Sequence, residues 1–309
     1  MIAGKRADLG YTFGMSQQPI LLDGKTVSQQ VLKECALRVA ELKRQTGIVP
    51  VLAAILVGDD SASATYVKMK GKRCEEAGMR SQSVYMPAST TTEELLAKIR
   101  QLAADPNVAG ILLQHPVPKQ IDERAAFDAI PAIKDVDGVG VTNYGSVALL
   151  GFTHSTPNAQ NEPIHGCCTP AGIMRLLAHY QVPLRGKHAV VIGRSPILGK
   201  PMAAMLLNAD CTVTVCHSRT VDLPSIVRLG DIVVAAVGRA KFVQGDWIKT
   251  GAIVIDAGYN AGNVGDVDFE ACAARASMIT PVPGGVGPMT IATLIDQTSI
   301  AAAWMNRSR

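Results

Sequence analysis

VVIGRSPILGKPMAAMLL, residues 190–207, is the stretch that decides the fold, because a buried-strand pattern turns there directly into a helix pattern. Gly193 ends the apolar run and Gly199 stands at the start of the helix. Glycines permit close backbone approach and a helix N-terminus presents free N–H groups, so this turn suits a bound phosphate. The spacing departs from G-x-G-x-x-G, since Ser195 takes the middle position and Gly199 lies one residue further on. A tight turn without a ligand is the alternative.

The next apolar run indicates which dinucleotide would bind. An NAD site is expected to carry an acidic residue about 20 residues after the glycine loop. Here the run ends in CHSRT, residues 216–220, which contains no carboxylate. Ser218 and Arg219, together with Arg194 in the first loop, suit a 2′-phosphate. The sequence therefore favours NADP over NAD, and two simply solvated arginines are the alternative.

Strand-length apolar runs alternate with helical spacing on both sides of this stretch. After residue 166 the runs are KHAVVIG, CTVTVCH, DIVVAAVG and GAIVIDAG, and before it they are VLAAILVG, SQSVYMP and VAGILLQHPVP. Helical patterns include residues 25–47, residues 90–105 and CTPAGIMRLLAHY from Cys168, where Thr169 is the expected N-cap and Pro170 the first helical residue. Such alternation predicts two α/β domains with mainly parallel sheets, and an apolar-striped final helix over 288–309 closes one of them.

The amino-acid composition narrows the range of protein classes and partners. The 309 residues are 48% hydrophobic but only 4% aromatic, which suits parallel sheets between helices better than a β-sandwich. A net charge of +4 without a concentrated basic tract argues against nucleic acid as a partner. No apolar run reaches the roughly 18 residues of a membrane span, so no membrane partner is expected. Seven cysteines without a C-x-x-C pair or zinc-like spacing indicate a reducing compartment, the cytoplasm, and no metal site.

Two segments stand apart from this pattern. Residues 1–15 have positive charge without a long apolar stretch and are left out of the fold prediction. Residues 151–166, GFTHSTPNAQNEPIHG, are polar and rich in Pro and Asn, which favours a linker or a mobile loop.

Two further motifs are candidates for ligand contact. ITPVPGGVGPMT, residues 279–290, combines three prolines with three glycines and predicts a rigid turn that could press backbone against a ligand. KDVDGVG, residues 134–140, lacks the other ligands of an EF-hand. Its Asp135 and Asp137 could cap a helix or accept hydrogen bonds from an amino-pyrimidine edge. A purely structural turn is the alternative for the glycine loop.

The helical stretch ATYVKMKGKRCEEAG, residues 64–78, concentrates positive charge behind a tyrosine. On a helix, Tyr66 and Lys70 lie one turn apart on one face, and Arg73 continues the stripe. Lys68 and Lys72 point elsewhere. Solvated surface charge is the alternative for any single lysine here.

Eight stretches in fixed order carry a resemblance: VGDDSASATYVKMKGKRCEEAGM, GILLQHPVP, KDVDG, CTPAGI, VVIGRSPILGKPM, TVTVCHSRT, DWIKTGAIVIDAGYN and TPVPGGVGPMT. Together, from about residue 18 to residue 303, the chain resembles the bifunctional methylenetetrahydrofolate dehydrogenase/methenyltetrahydrofolate cyclohydrolase family. The resemblance implies a homodimer of two-domain chains that bind tetrahydrofolate derivatives between a catalytic domain, residues 16–162 plus 289–309, and a Rossmann-type NADP-binding domain, residues 163–288. It also implies that the final helix returns to the first domain.

The resemblance further implies roles for individual residues. Lys70 would transfer protons, Gln114 would orient it, Tyr66 would stack on the pterin and Asp137 would anchor the pterin's amino groups. The remaining implied contacts are to cofactor, at Gly193, Arg194, Ser195, Ser218, Arg219 and Tyr259, and to substrate, at Pro283, Gly284 and Gly285.

The chain departs from the family pattern at three places. His115 stands where leucine is usual, Tyr259 where isoleucine is common beside the nicotinamide, and residues 153–166 replace a more compact connection. Two other functions stay open at this point. One is another two-domain NADP dehydrogenase of the shikimate or amino-acid type, and the other is a non-catalytic NADP-binding protein.

Overall fold

The structure is a computed structural model that describes residues 18–59, 61–151 and 162–307. Most of the segment expected to be a linker, and residues 1–15, lie outside the described residues. The strands are β1 (Ile20–Leu21), β2 (Val51–Val57), β3 (Arg80–Met86), β4 (Val108–Leu113), β5 (His188–Ile192), β6 (Thr212–Cys216), β7 (Ile232–Ala235), β8 (Ile253–Asp256) and β9 (Met278–Ile279). The helices are α1 (Gly24–Thr46), α2 (Ser61–Glu76), α3 (Thr92–Ala104), α4 (Glu123–Asp128), α5 (Val141–Leu150), α6 (Cys168–His179), α7 (Gly199–Asn208), α8 (Leu223–Val227), α9 (Phe269–Ala273) and α10 (Val286–Met305).

The first sheet is parallel and has the order β3-β2-β4. Every residue of its central strand β2 is buried, as its uninterrupted apolar sequence predicted. The edge strand β3 alternates exposed and half-buried residues instead. Because the strands are parallel, the chain leaves β2 and β4 at the same edge of the sheet, and this edge carries the residues that follow them, up to Gln114.

The second sheet is also parallel, with the order β1-β9-β8-β7-β5-β6. From β5 the chain passes first to β6 on one side and then to β7 on the other. The carboxyl ends of β5 and β7 therefore border a crevice of the kind in which open α/β sheets bind ligands. The predicted glycine loop directly follows β5, at this crevice.

The C-terminal helix α10 packs against α1, α6 and β4, so the final helix does contact the first domain. A buried carboxylate fixes this packing, since Asp296 Oδ1 lies 2.8 Å from Arg38 Nη1 and Asp296 Oδ2 lies 2.9 Å from Arg175 Nη1. Conversely, the short β1 joins the second sheet, where Ile20 N donates to Ser277 O at 2.9 Å. The exact boundaries given above for the two domains stay a prediction.

Local signals account for the ends of two helices. Gly47 follows α1 with a φ of +71°, and Thr91 and Glu94 form a capping box at the start of α3.

The predicted N-cap of α6 was wrong. This helix begins at Cys168, two residues before Pro170, and its N-cap is Cys167 rather than Thr169. The physical reason is tertiary. Cys168 N donates to the backbone oxygen of Asp137 at 3.2 Å, while the Thr169 hydroxyl accepts from Thr290 Oγ1 at 3.1 Å. A partner distant in sequence therefore replaces the local side-chain cap.

No helix within the described ranges is long and apolar enough to cross a membrane. All seven cysteines are free thiols and are buried.

Candidate active site

One face of α2 points towards the interior and carries the predicted pair. Tyr66 and Lys70 are half-buried, whereas Lys68 and Lys72 are exposed, as the helical spacing predicted. Arg73, which was expected to continue the stripe, is exposed and pairs with Glu76 on its own helix at 2.6 Å. The structure therefore separates one lysine from the rest of the charged run.

Lys70 meets Gln114 across the edge of the first sheet. Lys70 Nζ donates to Gln114 Oε1 at 3.0 Å, although 44 residues separate the two in sequence. Gln114 is held from both sides, because its backbone N–H donates to Ile55 O at 2.8 Å and its Nε2 donates to His115 O at 2.8 Å. The amide oxygen is thus oriented towards the lysine before any substrate binds.

His115, the residue that departs from the family pattern, turns away from this pair. Its Nδ1 lies 2.6 Å from Glu123 Oε1, at the start of α4. Its backbone oxygen, rather than its ring, contacts Gln114.

The two aspartates of KDVDG have different surroundings. Asp135 is buried and accepts hydrogen bonds from Gly140 N at 2.9 Å and Asn143 Nδ2 at 3.0 Å, next to the start of α5. Burial raises the pKa of Asp135 to about 7, against the effect of these donors. Asp137 is only half-buried. Asp135 is therefore the structural carboxylate and Asp137 is the one available to a ligand.

Asp137 and Lys70 lie around the same buried thiol. Burial raises the pKa of Cys168 well above its ordinary value, the Asp137 carboxylate raises it further and the Lys70 ammonium opposes both. Gln297 of α10 holds the neighbouring backbone, accepting from Gly166 N at 2.8 Å and donating to Val136 O at 2.8 Å. These contacts bring the KDVDG loop, the start of α6 and the lysine into one site.

A tyrosine of the second sheet reaches this site. The rings of Tyr66 and Tyr259 lie edge to face with centroids 5.7 Å apart. Burial raises the pKa of Tyr66 to about 12, and the neighbouring Tyr259 adds to the effect. The Tyr259 hydroxyl donates to Asn263 Oδ1 at 2.8 Å. The family resemblance implies that Tyr259 contacts the cofactor, and the structure also places it against Tyr66 of α2.

The glycine loop after β5 is a close-packed backbone turn. Gly193 has a φ of +131°, and a Cβ there would lie 2.2 Å from the oxygen of Ala236. A Cβ on Gly199 would lie 2.2 Å from the Gly193 oxygen. Ser195 Oγ accepts hydrogen bonds from Leu198 N and Gly199 N at 3.2 and 3.3 Å, next to the start of α7. The turn therefore requires glycine at both positions, because any Cβ would clash with neighbouring backbone.

The candidate 2′-phosphate contacts lie beside this loop. Arg194, Ser218 and Arg219 are all exposed, the last two in the turn after β6. That turn is fixed by its own bonds, since Arg219 N donates to His217 Nδ1 at 3.2 Å. The cations are thus available to an anion.

The loop that contains Pro283, Gly284 and Gly285 packs on the start of α1. Gly284 has a φ of +109° and its oxygen accepts from Lys25 N at 2.9 Å. A Cβ on Gly285 would lie 2.6 Å from Pro281 O, so the turn is close-packed at this residue. Pro283 is exposed.

Two buried carboxylates were missed from the sequence. Asp256 ends β8 and Asp266 follows it, and each accepts several backbone N–H groups. The available signals were the position of Asp256 at the end of the apolar strand IVID and the position of Asp266 directly after Gly265. Within the described residues, no group of three or more His, Cys, Asp or Glu side chains could hold a metal ion.

Comparisons with known proteins agree with this geometry. The family description "Tetrahydrofolate dehydrogenase/cyclohydrolase, catalytic domain" matches residues 22–137, and the description of its NAD(P)-binding domain matches residues 167–306. The chain is 59% identical to a protein of Acidobacterium capsulatum named "Bifunctional protein FolD", over 92% of this chain and 97% of that protein.

Solved structures are similar over nearly the whole chain. A Campylobacter jejuni bifunctional methylenetetrahydrofolate dehydrogenase/cyclohydrolase is 45% identical with a TM-score of 0.85, over 91% of this chain and 98% of that one. A Trypanosoma brucei enzyme of the same description, complexed with NADP cofactor and inhibitor, is 37% identical with a TM-score of 0.88, over 94% of this chain and 100% of that one.

Proposed function

The chain belongs to the tetrahydrofolate dehydrogenase/cyclohydrolase family, and from this premise we propose how its residues act. The protein oxidises 5,10-methylenetetrahydrofolate to 5,10-methenyltetrahydrofolate with NADP and hydrolyses that product to 10-formyltetrahydrofolate, a step of one-carbon metabolism that supplies purine synthesis. The observation that carries the assignment is the Lys70–Gln114 hydrogen bond of 3.0 Å on the same helix face as Tyr66. That face meets the cofactor half of the chain at Tyr259.

The residues present fit NADP. The Gly193–Gly199 turn leaves no room for a Cβ, which suits backbone approach to a pyrophosphate, and Ser195 stands within it. The exposed Arg194, Ser218 and Arg219 suit a 2′-phosphate. When bound, NADP accepts the hydride from the methylene bridge of the substrate.

For the first reaction the chain supplies position rather than acid or base. Tyr66 gives an aromatic wall for the pterin, and Asp137 accepts hydrogen bonds from its amino groups. Pro283, Gly284 and Gly285 add a backbone surface, in which a Cβ on Gly285 would lie 2.6 Å from Pro281 O. Holding two reactants in the reactive orientation lowers the activation barrier substantially, because the entropy of bringing them together is lost on binding rather than in the chemical step.

For the second reaction Lys70 moves protons. The methenyl substrate is a cation whose bridge carbon is attacked by water. The Lys70 amine takes a proton from that water as the new carbon–oxygen bond forms. The resulting ammonium gives a proton to the ring nitrogen when the carbon–nitrogen bond to it breaks. The hydroxyl group formed from the water loses its remaining proton to solvent as the formyl C=O forms on the other nitrogen, so one proton is released overall. Gln114 Oε1 accepts from Lys70 Nζ and keeps it aimed at the substrate.

Two properties of the assembled protein follow the family. We propose a homodimer, which the family resemblance supports, and light scattering of the purified chain would contradict it by giving the mass of a single chain. A cytoplasmic location is supported by seven buried free thiols, which suit a reducing compartment. A secreted form with paired cysteines would contradict that location.

One assay on the purified chain tests the function. NADPH formation is followed with 5,10-methylenetetrahydrofolate as substrate, and the methenyl product is then detected as its acid-stable form. Hydrolysis is followed separately on supplied 5,10-methenyltetrahydrofolate. A shikimate-type or amino-acid dehydrogenase would turn over a hydroxy or amino acid instead. A non-catalytic NADP-binding protein would bind NADPH without either turnover.

A further inference from the structure

Asp266 is a fully buried carboxylate that collects hydrogen bonds from two segments of the second sheet. Its Oδ2 accepts from Val237 N at 2.6 Å and Gly238 N at 2.8 Å. Its Oδ1 accepts from Arg239 N at 2.9 Å and from Asn260 Nδ2 at 3.0 Å. Three consecutive backbone N–H groups that point at one site form a small anion-binding concavity, and here the protein's own carboxylate fills it.

Both segments held by Asp266 face the crevice. Residues 236–239 follow β7 and touch the cofactor turn, where a Cβ on Gly193 would lie 2.2 Å from Ala236 O. Residues 258–260 follow β8 and include Tyr259, which contacts Tyr66. A Cβ on Gly258 would lie 2.2 Å from Asp266 Cγ, so the chain passes directly over the carboxylate.

A second carboxylate supports the first. Asp256 Oδ1 accepts from Gly258 N and Asp266 N, each at 2.9 Å, and its Oδ2 accepts from Val267 N at 2.9 Å. Burial raises the pKa of Asp256 to about 6, while these donors oppose the rise. The pair is built from the second sheet alone, whereas Lys70 and Gln114 belong to the first.

We propose that Asp266 is a positioning residue for hydride transfer. It holds segments 236–239 and 258–260 at the distance from each other that nicotinamide binding in the crevice requires. The inference rests on the proposed function. A carboxylate has acceptor sites for all four donors, whereas an amide of the same shape has one acceptor oxygen and brings two donors of its own. Loss of the charge therefore loosens both segments together.

The variant Asp266→Asn tests this inference. Dehydrogenase kcat is expected to fall roughly 10- to 100-fold, because small misplacement of reacting groups has effects of that size. Hydrolysis of supplied 5,10-methenyltetrahydrofolate needs no NADP, and its kcat is expected to stay within about twofold since Lys70 and Gln114 are untouched. Hydrogen exchange of the amides of residues 237–239 should become faster. NADPH affinity, measured by fluorescence titration, should weaken less than kcat falls.

Asp268→Asn is the matched control, because it removes the same charge two residues further along the chain. The Asp268 side chain forms no capping hydrogen bond at the start of α9. It should change neither activity. Asn260→Ala removes one of the four donors to Asp266, together with the hydrogen bond from the same amide to Val264 O at 3.1 Å. It should lower dehydrogenase kcat by a smaller factor and leave hydrolysis unchanged. This second variant decides the question if Asp266→Asn does not fold.

Equal loss of both activities in the folding variants, or unchanged dehydrogenase kcat with unchanged amide exchange, would overturn the positioning role. The failure of the proposed function looks different, since the unmodified chain would then produce no NADPH from 5,10-methylenetetrahydrofolate. A selective loss in an otherwise active enzyme supports Asp266 in the stated role.

Discussion

The two halves of the proposed site are built in different ways. In the half built on the first sheet, two side chains distant in sequence meet directly, Lys70 Nζ and Gln114 Oε1 at 3.0 Å. In the half built on the second sheet, the proposed ligand contacts come mainly from the backbone. Gly193 is an example, because a Cβ does not fit there. A contact made by a side chain is lost when that side chain is shortened, whereas a contact made by the backbone at a glycine is lost when a Cβ is added. Substitutions that follow this rule should separate the two activities.

The largest expected effect comes from Lys70→Met, which removes the proton-transfer group and keeps the bulk of the side chain. Cyclohydrolase kcat should fall by roughly 100- to 10,000-fold, the range of general acid–base catalysis. Dehydrogenase turnover and NADPH binding should survive, because the second sheet is unchanged.

Lys72→Met is the matched control, since Lys72 is exposed on the same helix. Hydrolysis of 5,10-methenyltetrahydrofolate should proceed at the unmodified rate in this control. Unmodified hydrolysis in Lys70→Met itself would reject the assignment of the lysine.

Gly193→Ala is the reverse experiment, in which backbone is the target. The φ of +131° is strained for any residue with a Cβ, and the new carbon would lie 2.2 Å from Ala236 O. The turn must shift, so kcat/KM for NADP in the dehydrogenase reaction should fall about 100-fold. Hydrolysis of supplied methenyl substrate should change little.

Gly145→Ala provides the comparison, because a Cβ there meets nothing within 4 Å. Both activities should be kept in this variant. If Gly193→Ala binds NADPH normally and keeps its dehydrogenase rate, the backbone account of the second half is wrong.

Asp137→Ala tests whether the first half also holds its substrate by a side chain. Hydrogen bonds to a charged group contribute about 1.5–3 kcal/mol. Because Asp137 is only half-buried, the lower end of this range, about 1.5–2 kcal/mol, is expected, so the KM for the folate should rise by roughly 10- to 30-fold in both reactions. Glu75→Ala, which removes an exposed carboxylate of α2, serves as the control. An unchanged folate KM in Asp137→Ala would exclude the anchoring role.

Local patterns account for what the sequence predicted well. The division between Lys70 and its exposed neighbours follows from helical spacing within one element, and the positions of Gly193 and Gly199 follow from the change of period between β5 and α7. The apolar run of β2 likewise predicted a wholly buried central strand. Each of these inferences needs only residues that are close together in the chain.

Contacts between distant elements could not be predicted in this way. Gln114 is 44 residues from Lys70, and only the pairing of β2 with β4 brings them together. Asp266 lies 27 residues beyond Arg239, and its role depends on how two loops fold over one carboxylate. The predicted N-cap of α6 was wrong for the same reason, since the backbone oxygen of Asp137 accepts a hydrogen bond from Cys168 N. The resemblance to a family named the candidate site residues and implied that Gln114 orients Lys70, but it did not give the contacts that hold Asp266 or the start of α6.

Arg219→Ala gives the smallest expected effect and sharpens the comparison, because it tests a side-chain contact in the half that otherwise relies on backbone. Arg219 is exposed, and exposed ion pairs contribute at most about 1 kcal/mol, so the KM for NADP should rise only about three- to fivefold. The KM for NAD should not change, since NAD has no 2′-phosphate for the guanidinium to bind.

Arg185→Ala is the control, because the Arg185 side chain is 90% exposed and pairs only loosely with Asp210 at 3.5 Å. A parallel rise for NADP and NAD would mean that Arg219 shapes the turn after β6 rather than reading the phosphate. A rise for NADP alone, smaller than the effect of Gly193→Ala, would show that backbone sets the strength of cofactor binding in this half and that side chains set its selectivity.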